Sequence, residues 1–519
     1  MDSSPVASAH LPFSAACTVP VLTAAEMRAW DRSSIDARGI PERVLMESAG
    51  RAAAAVVHRL YPHGRVVAAV GAGNNGGDAI VVLRVLRSWG REVAAVLAGK
   101  RPDDAALLHG WEVNVVSAGD ADAAFAGAAV IVDGLLGTGA RGAPRDAETA
   151  AIEAMARSGC PIVALDGPSG IDMTTGARPG AAVRAEVTVT FGAPKRGLLL
   201  FPGREHAGRI VAVEVGFDPL AADGYGAQLV TPAWAAPHLP PVAPNAHKGT
   251  MGLVSVLAGR SGMAGASVLA AMGALRAGAG KVRVVTHADN RVIVQTAIPE
   301  ALYADREMDG LAEELQDSQA IVAGPGMGTG DAEREMLRRV LSRGSSPVLL
   351  DADALTLLAA DPTLRDAADR PLLLTPHPGE MARLLGKKTG DVTANPFAAA
   401  AEAVERFRCA VLLKGAPSIA AAPGERAMVN VAGHSGIATG GMGDVLGGIA
   451  GALLAVGCTP RDAAALALYF AGRAAEIAGR GRGLLPRDVV EALPAALMDR
   501  AEDAEPVAPG VLLDLPAAY

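Results

Sequence analysis

A chain of 519 residues is too long for a single hydrophobic core and predicts two or more domains. Its net charge of -8 and its aromatic content of 3% argue against a nucleic-acid partner, because such partners attract basic and aromatic surfaces. The four cysteines form no C-x-x-C pair, so neither a zinc knuckle nor a disulfide framework is indicated and a reducing cytoplasm fits best. The longest apolar run, Val445 to Cys458, is shorter than the roughly 20 residues of a membrane span.

The N-terminal segment has the composition of an extension rather than of a targeting signal. The first twenty residues contain no Lys or Arg and are interrupted by three prolines. They therefore lack the basic start and the apolar run of a secretory signal. We predict a disordered extension over residues 1–19, followed by a helix that Thr23 and Glu26 begin with the spacing of a capping box.

The first domain opens with a strand, a glycine-rich turn and a helix. Val66–Val70 predicts a buried strand, and Ala79–Trp89 predicts the helix. This arrangement is typical of a phosphate-binding unit, although tight turns also select glycine for purely steric reasons. The polar residues in the turn sharpen the prediction of a ligand site, whose candidate residues are Asn74, Asn75, Gly76, Gly77 and Asp78.

Further strands predict a doubly wound parallel sheet, whose ligands lie beyond the carboxyl ends of its strands. They are expected over Val93–Leu97, Ala129–Val132 and Ile162–Leu165. Two acids, Asp133 and Asp166, stand at such strand ends. One acid there is as often a loop cap as a catalyst, but two at the same edge favour a site. Oxygen-rich side chains without a Cys or His cluster suit a hard cation rather than zinc.

A proline-rich stretch marks the domain boundary. Residues 216–248 contain six prolines and little periodicity. The predicted division of the chain is an extension over 1–19, a first domain over 20–220, a linker over 221–244, a second domain over 245–500 and a tail over 501–519.

The second half again alternates strands with helical segments. Small residues over 258–266 let a ligand lie against the backbone, although close packing of helix on sheet would select them equally. His377 is held between two prolines, and Lys414 would be a costly charge at a strand end unless it meets a partner such as a polyphosphate. The predicted strands are Leu253–Leu257, Val282–Thr286, Ala320–Ala323, Pro347–Leu350, Leu372–Thr375 and Ala410–Leu413.

A glycine run that opens an apolar helix is the most informative stretch. Gly440, Gly441 and Gly443 let backbone N–H groups approach an anion, and Asp444 lies in the first helical turn. A carboxylate there is ordinarily a helix cap. In a phosphate site it would repel its ligand unless it had a task, so we interpret Asp444 as a general base for an attacking hydroxyl.

Three motifs of the second half, Thr439–Leu446, Leu374–Glu380 and Leu413–Gly415, resemble the dehydratase domain of the NAD(P)H-hydrate repair enzymes, a branch of the ribokinase-like superfamily. The resemblance covers roughly residues 245–495. It implies that the hydrated dinucleotide contacts Ala266, Gly328, His377 and Asp444. It also implies that an adenine nucleotide contacts Lys414, Gly415, Ala416, Pro417, Ser418 and Gly443.

The loops of the first half, with Phe191–Lys195, resemble the NAD(P)H-hydrate epimerase domain over roughly residues 20–220. The resemblance implies that Asp166 is a catalytic residue and the acidic side chain that contacts the substrate. Potassium is implied at Asn75, Asp133 and Ser169. The implied substrate contacts are Asn74, Asn75, Gly76, Gly77, Asp78, Gly137, Thr138, Gly139 and Asp166. The departures from the family pattern are Ser48, Ala79, Met442 and the segment His434–Gly436.

Together the resemblances imply a Rossmann-like doubly wound α/β domain followed by a ribokinase-like α/β domain. They imply a bifunctional enzyme that interconverts R and S hydrates of NADH and NADPH and dehydrates the S form. ADP is the implied phosphoryl donor, with ATP as the alternative and Mg²⁺ accompanying the nucleotide. We expect a cytoplasmic homo-oligomer with neither nucleic acid nor membrane as partner. The competing interpretation is a ribokinase-like small-molecule kinase whose first domain is a non-catalytic binding module.

Overall fold

The structure, a computed structural model, describes residues 18–99, 107–221, 223–499 and 507–518. The chain forms two compact units, Met1–Ala227 together with Glu502–Tyr519, and Gln228–Ala501. The extension predicted over 1–19 lies outside the described residues except for its last two positions. Within the described part of the chain, no helix is both long and apolar enough to cross a membrane.

The strands are numbered in chain order. They are β1 (Val19–Pro20), β2 (Val66–Val70), β3 (Val93–Leu97), β4 (Asn114–Ser117), β5 (Val130–Gly134), β6 (Ile162–Leu165), β7 (Val187–Phe191), β8 (Arg209–Val213), β9 (Ala227–Leu229), β10 (Leu253–Leu257), β11 (Lys281–Thr286), β12 (Leu302–Asp305), β13 (Ala320–Ala323), β14 (Val348–Leu350), β15 (Leu372–Leu374), β16 (Ala410–Leu413), β17 (Ser418–Ala421), β18 (Ala427–Asn430) and β19 (Val511–Leu515).

Helices connect most of these strands. The α-helices whose bounds lie within the described residues are Ala24–Arg32, Glu42–Leu60, Asn74–Ser88, Ala121–Phe125, Asp146–Ser158, Gly203–Ala207, Pro232–His238, Ala264–Arg276, Arg291–Ala297, Leu311–Glu314, Asp331–Leu341, Asp353–Ala360, Thr363–Asp366, Pro378–Leu385, Thr389–Ala394, Pro396–Phe407, Met442–Ala455, Pro460–Ala478 and Pro486–Met498. The capping box predicted at Thr23 and Glu26 is confirmed, since the Thr23 side chain accepts from Glu26 N at 3.1 Å and the Glu26 carboxylate accepts from Thr23 N.

The first unit contains a sheet in the order β19-β8-β7-β6-β5-β2-β3-β4. From β2 to β8 every neighbouring pair is parallel. All five residues of β2 are buried, as expected for a parallel strand that is covered on both faces. The strand order reverses between β2 and β5, and that reversal creates a crevice at the carboxyl ends of the strands. The doubly wound sheet predicted from the sequence is confirmed.

The last strand of this sheet comes from the far end of the chain. We predicted a tail over 501–519, whereas residues 511–515 form β19 and pair antiparallel with β8. Arg209 and Asp514 form an ion pair across the two strands at 2.5 Å. Val511 is 5% exposed, so the pairing also covers apolar surface. The difference arises because a short apolar run gives no local sign of a partner about 300 residues earlier.

The second unit contains a sheet in which β12-β11-β10-β13-β14-β15-β16 run parallel. The antiparallel strands β17 and β18 follow β16 at one side. Here the strand order reverses between β10 and β13, which places a second crevice beyond those two strand ends. Residues 228–244, which the sequence assigned to the linker, contain the helix Pro232–His238 with its buried Trp234.

Of the two glycine-rich helices, one begins earlier in the chain than the sequence predicted and the other begins where it was expected. The first begins at Asn74 and not at Ala79, so the segment Asn74–Asp78 is the first turn of a helix and not a loop. The second begins at Met442, after Gly441 with a φ of +90°, and Asp444 lies in its first turn as predicted. The glycine pair Gly76–Gly77 hid the start of the first helix, because glycine lowers intrinsic helix propensity even where tertiary packing holds the helix.

Candidate active sites

The carboxyl ends of β2, β5 and β6 bring together the side chains predicted to hold a cation. Ser169 donates to Asp133 through its hydroxyl at 2.6 Å and through its backbone N–H at 2.9 Å. The Asn75 amide donates to Leu136 O at 2.9 Å, and Leu136 N in turn donates to the Ser169 hydroxyl at 2.9 Å. One hydrogen-bonded network therefore joins the three predicted residues.

This network contains two groups that a cation would satisfy. Asn75 Oδ1 is buried and has no hydrogen-bond partner among the described residues. Asp133 is fully buried, and this burial raises the pKa of its carboxyl to about 6, although hydrogen bonds from Ser169 and Leu135 oppose the shift. A buried amide oxygen without a hydrogen-bond partner and a buried carboxyl are oxygen ligands of the kind that a hard cation prefers.

Asp166 lies directly after β6 and is bound from two sides. Its φ of +64° lies in the left-handed region, which is uncommon for a residue with a side chain. Lys195 Nζ donates to Asp166 Oδ1 at 2.5 Å, while the Thr138 backbone and hydroxyl both donate to Asp166 Oδ2. A side chain built at Gly137 would begin 3.5 Å from Asp166 Oδ2. The predicted loop 137–139 and Asp166 are therefore adjacent.

Lys195 keeps Asp166 ionised. Burial alone raises the pKa of Asp166. The charge and hydrogen bond of Lys195, together with the hydrogen bonds from Thr138, hold that pKa below its ordinary value. The Lys195 side chain is fully buried and also donates to the Thr190 hydroxyl and to Phe191 O, each at 2.9 Å. The sequence analysis placed Lys195 in a family motif but assigned it no role. Its position in the loop after β7 is the signal that could have indicated a role at the site.

The remaining predicted contacts of the first unit lie on the turn that begins the helix Asn74–Ser88. Asn74 is exposed, and its amide donates to Glu42 at 2.5 Å. Asp78 is 8% exposed, with Gly76 and Gly77 buried beside it. The helix has no side-chain cap, and the N–H groups of Gly76 and Gly77 donate to Gly73 O at 3.1 and 3.3 Å.

In the second unit, the loops after β10 and β13 hold each other. Gly259 N donates to Pro325 O at 2.9 Å, and Arg260 N donates to Gly326 O at 2.6 Å. A side chain built at Gly326 would begin 3.4 Å from the Ala266 Cβ, and Gly328 N donates to Asp353 at 2.8 Å. The structure thus places Ala266 and Gly328 at the same crevice, beyond the switch point of this sheet.

Lys414 is paired with an acid to which we had assigned no role. Its Nζ donates to Asp351 Oδ1 at 2.7 Å, and Asp351, at the end of β14, is 2% exposed. Burial acts to lower the pKa of Lys414, but the charges of Asp351, Glu380 and Asp444 raise it above its ordinary value. The motif Asp351-Ala352-Asp353 directly after a predicted strand was the available signal.

Asp444 is free to exchange a proton at neutral pH. Within the described residues its carboxyl makes no side-chain hydrogen bond or ion pair, although Lys414 and Asp351 lie near it. Burial raises its pKa to about 7, the charge of Asp351 adds to the shift, and Lys414 opposes it. A base whose pKa matches the operating pH is the most effective one.

His377 is both a helix cap and an exposed donor. Its Nδ1 accepts from Gly379 N at 3.0 Å, which fixes the proton of the neutral ring on Nε2. The side chain is 56% exposed, and Nε2 lies 3.5 Å from Glu380 Oε1. Lys414 N donates to Pro376 O at 2.9 Å and thereby ties the histidine loop to the lysine loop. The structural and the ligand-binding interpretations of His377 are compatible.

The predicted nucleotide loop closes on itself. Gly415 N donates to the Ser418 hydroxyl at 3.1 Å, and that hydroxyl donates back to Gly415 O at 2.8 Å around a cis Ala416–Pro417 bond. A side chain built at Gly443 would begin 3.2 Å from Lys414 Nζ. The lysine therefore lies against the first turn of the glycine-rich helix.

Family comparisons agree with this geometry. Residues 254–495 match the family described as NAD(P)H-hydrate dehydratase, and residues 42–197 match the family described as YjeF-related protein N-terminus. The bifunctional NAD(P)H-hydrate repair enzyme Nnr of Escherichia coli is 36% identical over 485 residues, which cover 90% of this chain and 92% of that protein. This chain belongs to the bifunctional NAD(P)H-hydrate repair enzymes. The enzyme of the same name from Moorella thermoacetica is 34% identical over 94% of this chain and 98% of its own length.

Among solved structures, the ADP/ATP-dependent NAD(P)H-hydrate dehydratase of Bacillus subtilis, co-crystallised with ATP and Mg²⁺, is 29% identical. It matches 52% of this chain and 96% of its own chain with a TM-score of 0.46.

Two departures of this repair enzyme from the pattern of its family have local explanations. The Ala79 methyl is fully buried, and a side chain built at Gly134 would begin 2.5 Å from it, so the extra methyl occupies the space that Gly134 leaves. His434 Nδ1 accepts from Gly436 N at 3.0 Å and caps the turn before the glycine run. Ser48 and Met442 are half-buried, and no contact of the described residues explains either one.

Proposed function

We infer that this chain repairs hydrated NADH and NADPH: its first unit epimerises the R and S hydrates, and its second unit dehydrates the S form with consumption of ADP or ATP. The observation that carries the inference is the pair of switch-point sites, one with Asp166 and one with Asp444, in a chain of this family. Epimerisation alone repairs nothing, and stereospecific dehydration alone leaves half of a racemic lesion. Two sites on one chain therefore repair the whole lesion.

For dehydration, we propose that Asp444 accepts the proton of the ring hydroxyl. The hydroxyl oxygen forms a bond to the terminal phosphorus, and the bond from that phosphorus to its bridging oxygen breaks. Lys414 and the N–H groups around Gly443 stabilise the charge that develops on the phosphoryl group and on the departing nucleotide. Phosphate then leaves the ring carbon with the bonding electrons, and the loss of a ring proton restores the reduced nicotinamide.

The substrates sit on opposite sides of Asp444 in this proposal. The hydrate lies against Ala266, Gly328 and His377, whose Nε2 is a hydrogen-bond donor. The adenine nucleotide lies along residues 414–418 and against Gly443. We propose ADP as the donor, with ATP as the alternative. Mg²⁺ would enter with the nucleotide, because it is usually bound through phosphates and only one or two carboxylates.

For epimerisation, we propose that the ionised Asp166 contacts the carbinol carbon of the hydrate while Lys195 holds the carboxylate in place. The nucleotide lies along residues 74–78 and 137–139. Potassium would be held by Asn75, Asp133 and Ser169. The orphaned Asn75 Oδ1 and the buried Asp133 carboxyl support this assignment, since a monovalent cation would satisfy both.

The function is tested by incubating racemic hydrate with the full chain and following the near-ultraviolet absorbance of reduced nicotinamide. Complete recovery with ADP or ATP is expected, at a rate that ranks the two donors. Recovery of only half the absorbance would remove the epimerase from the proposal. A product that keeps its phosphate would instead identify a small-molecule kinase.

The potassium assignment has its own test. Replacing potassium with tetramethylammonium is expected to slow epimerisation and to lower the melting temperature of the first unit, while dehydration of pure S hydrate is unchanged. Asp133→Asn should remove that cation dependence. Epimerisation at equal rates in both salts would contradict the metal and leave the site intact.

Two further predictions concern the protein in solution. A cytoplasmic location is supported by the free Cys160, Cys409 and Cys458, which form no disulfide among the described residues. The homo-oligomeric state stays a prediction from the sequence, which light scattering would check.

A further inference from the structure

The turn after β14 directs two carboxylates to two different subsites. Ala352 has a φ of +47°, a conformation that is unfavourable for a residue with a side chain. On one side of it, Asp351 accepts from Lys414 Nζ at 2.7 Å. On the other side, Asp353 accepts from Gly328 N at 2.8 Å. Backbone strain of this kind persists where the surrounding structure requires it, often at functional sites.

Asp351 lies against the helix turn that carries Asp444. A side chain built at Gly443 would begin 3.6 Å from Asp351 Oδ2 and 3.2 Å from Lys414 Nζ. A buried carboxylate beside a phosphate site repels the ligand unless a cation neutralises it. Lys414 supplies that cation, so the pair presents an oriented ammonium group rather than a bare negative charge.

We propose that Asp351 is a positioning residue for phosphoryl transfer: it holds the Lys414 ammonium beside the glycine hole and keeps that ammonium from pairing with Asp444. Asp444 thereby remains free to accept the proton of the hydroxyl. This inference rests on the proposed dehydratase function. It assigns to Asp351 a role that the sequence motifs left open.

The charges around the two groups support this arrangement. Asp444 faces Asp351 and Lys414, while Lys414 faces Asp351, Glu380 and Asp444. Because the charge of Asp351 adds to the effect of burial on Asp444, removing it lowers the pKa of Asp444. A freed Lys414 that turned to Asp444 would lower that pKa further. Both effects act in the same direction and make Asp444 a weaker base at neutral pH.

The test is the pH profile of dehydration by full-length Asp351→Asn, which keeps the shape of the side chain and removes its charge. The acidic limb of kcat is expected to move to lower pH by about one unit, since a neighbouring charge shifts a pKa by roughly that much. At the pH optimum kcat should fall about tenfold or more, with a smaller change in the KM for the nucleotide. The matched control is Asp353→Asn, which changes the same turn away from Lys414 and should leave the limb in place.

A double-mutant cycle keeps the test decisive if Asp351→Asn leaves Lys414 buried without a partner and fails to fold. Lys414→Met with Asp351→Asn removes both charges, so neither is left unpaired. The double variant should dehydrate no more slowly than Lys414→Met alone, because Asp351 acts through Lys414. Additive losses, or an unmoved limb in Asp351→Asn, would overturn the proposal. Near-normal dehydration by Asp444→Asn would instead reject the underlying function.

Discussion

The two units contain the same chemical groups at corresponding places and connect them differently. Each has carboxylates and a lysine beyond the carboxyl ends of parallel strands. In the first unit Lys195 pairs directly with Asp166, the proposed catalytic carboxylate. In the second unit Lys414 pairs with Asp351, and Asp444 is left without an ion-pair partner among the described residues. The two units therefore differ in the carboxylate with which the lysine pairs.

The consequence is two carboxyl groups with opposite pKa shifts. Burial acts to raise the pKa of Asp166, but Lys195 lowers that pKa below its ordinary value. Asp166 therefore stays ionised across the neutral range. The pKa of Asp444 is raised to about 7 by burial and by Asp351. A permanently charged group suits the orientation of a substrate, whereas a group that titrates near neutrality suits proton transfer. We therefore expect equivalent substitutions in the two units to affect the two activities differently.

The largest expected effect is that of Asp444→Asn. Dehydration of S hydrate should fall by about 10²–10⁴-fold, because general-base assistance is worth that much. Epimerisation by the same chain should be unchanged, and this is measured by the conversion of R to S hydrate. The nucleotide should still bind, as isothermal calorimetry would detect. If dehydration stays near normal, Asp444 is not the general base.

Asp166→Asn should act in the opposite way. We expect epimerisation to be lost while dehydration of pure S hydrate continues. Because Lys195 is fully buried, the substitution also leaves its charge without a partner and should lower the melting temperature of the first unit. Lys195→Met with Asp166→Asn is the control that restores stability without activity. Epimerisation in Asp166→Asn at the wild-type rate would refute the site assignment.

The pH profiles provide a third contrast of smaller size. Dehydration needs the ionised form of Asp444, so its kcat should fall about tenfold per unit as the pH decreases below about 7. Asp166 stays ionised through that range, so epimerisation should show no limb near pH 7. Initial rates of both reactions in one buffer series test this. An acidic limb at the same pH in both reactions would show that the two carboxyls do not differ.

The smallest effect concerns stability. The first unit is completed by a strand from the other end of the chain. Deleting residues 507–519 should lower the free energy of unfolding of that unit by about 2–3 kcal/mol, the value of burying one or two apolar side chains such as Val511. Asp514→Asn alone should cost under about 1 kcal/mol, because the Arg209–Asp514 pair is partly exposed. Calorimetry would separate the two, and an unchanged melting transition after the deletion would show that β19 contributes nothing.

Local patterns in the sequence were enough to place most strands and both crevices. The runs that form β2, β6, β10 and β13 are short, apolar and bounded by glycine, so their ends could be read directly. Asp133 lies near the end of β5, and Asp444 lies in the first turn of the helix Met442–Ala455. The family motifs supplied the ligand assignments, which the geometry collects at the two crevices.

What the sequence could not indicate depends on long-range or non-local geometry. Lys414 follows β16 and Asp351 follows β14, so their pairing joins residues that are far apart in the sequence. From the sequence alone, Lys414 or Lys195 could have been assigned to a phosphate. The left-handed conformations of Asp166 and Ala352 are imposed by tertiary structure, since neither residue is glycine. The helical first turn at Asn74 is likewise set by packing, against the low propensity of its glycines.

The return of the chain to its first sheet also constrains the order of synthesis. Because β19 follows the whole second unit in sequence, the ribosome makes the dehydratase before it makes the strand that completes the epimerase sheet. A nascent chain that stops early presents the edge of β8, a template for pairing with other chains. The same connection means that a gene split at the boundary between the units would leave β19 on the wrong product. The fusion is therefore held together by the fold of the first unit, independently of any advantage in chemistry.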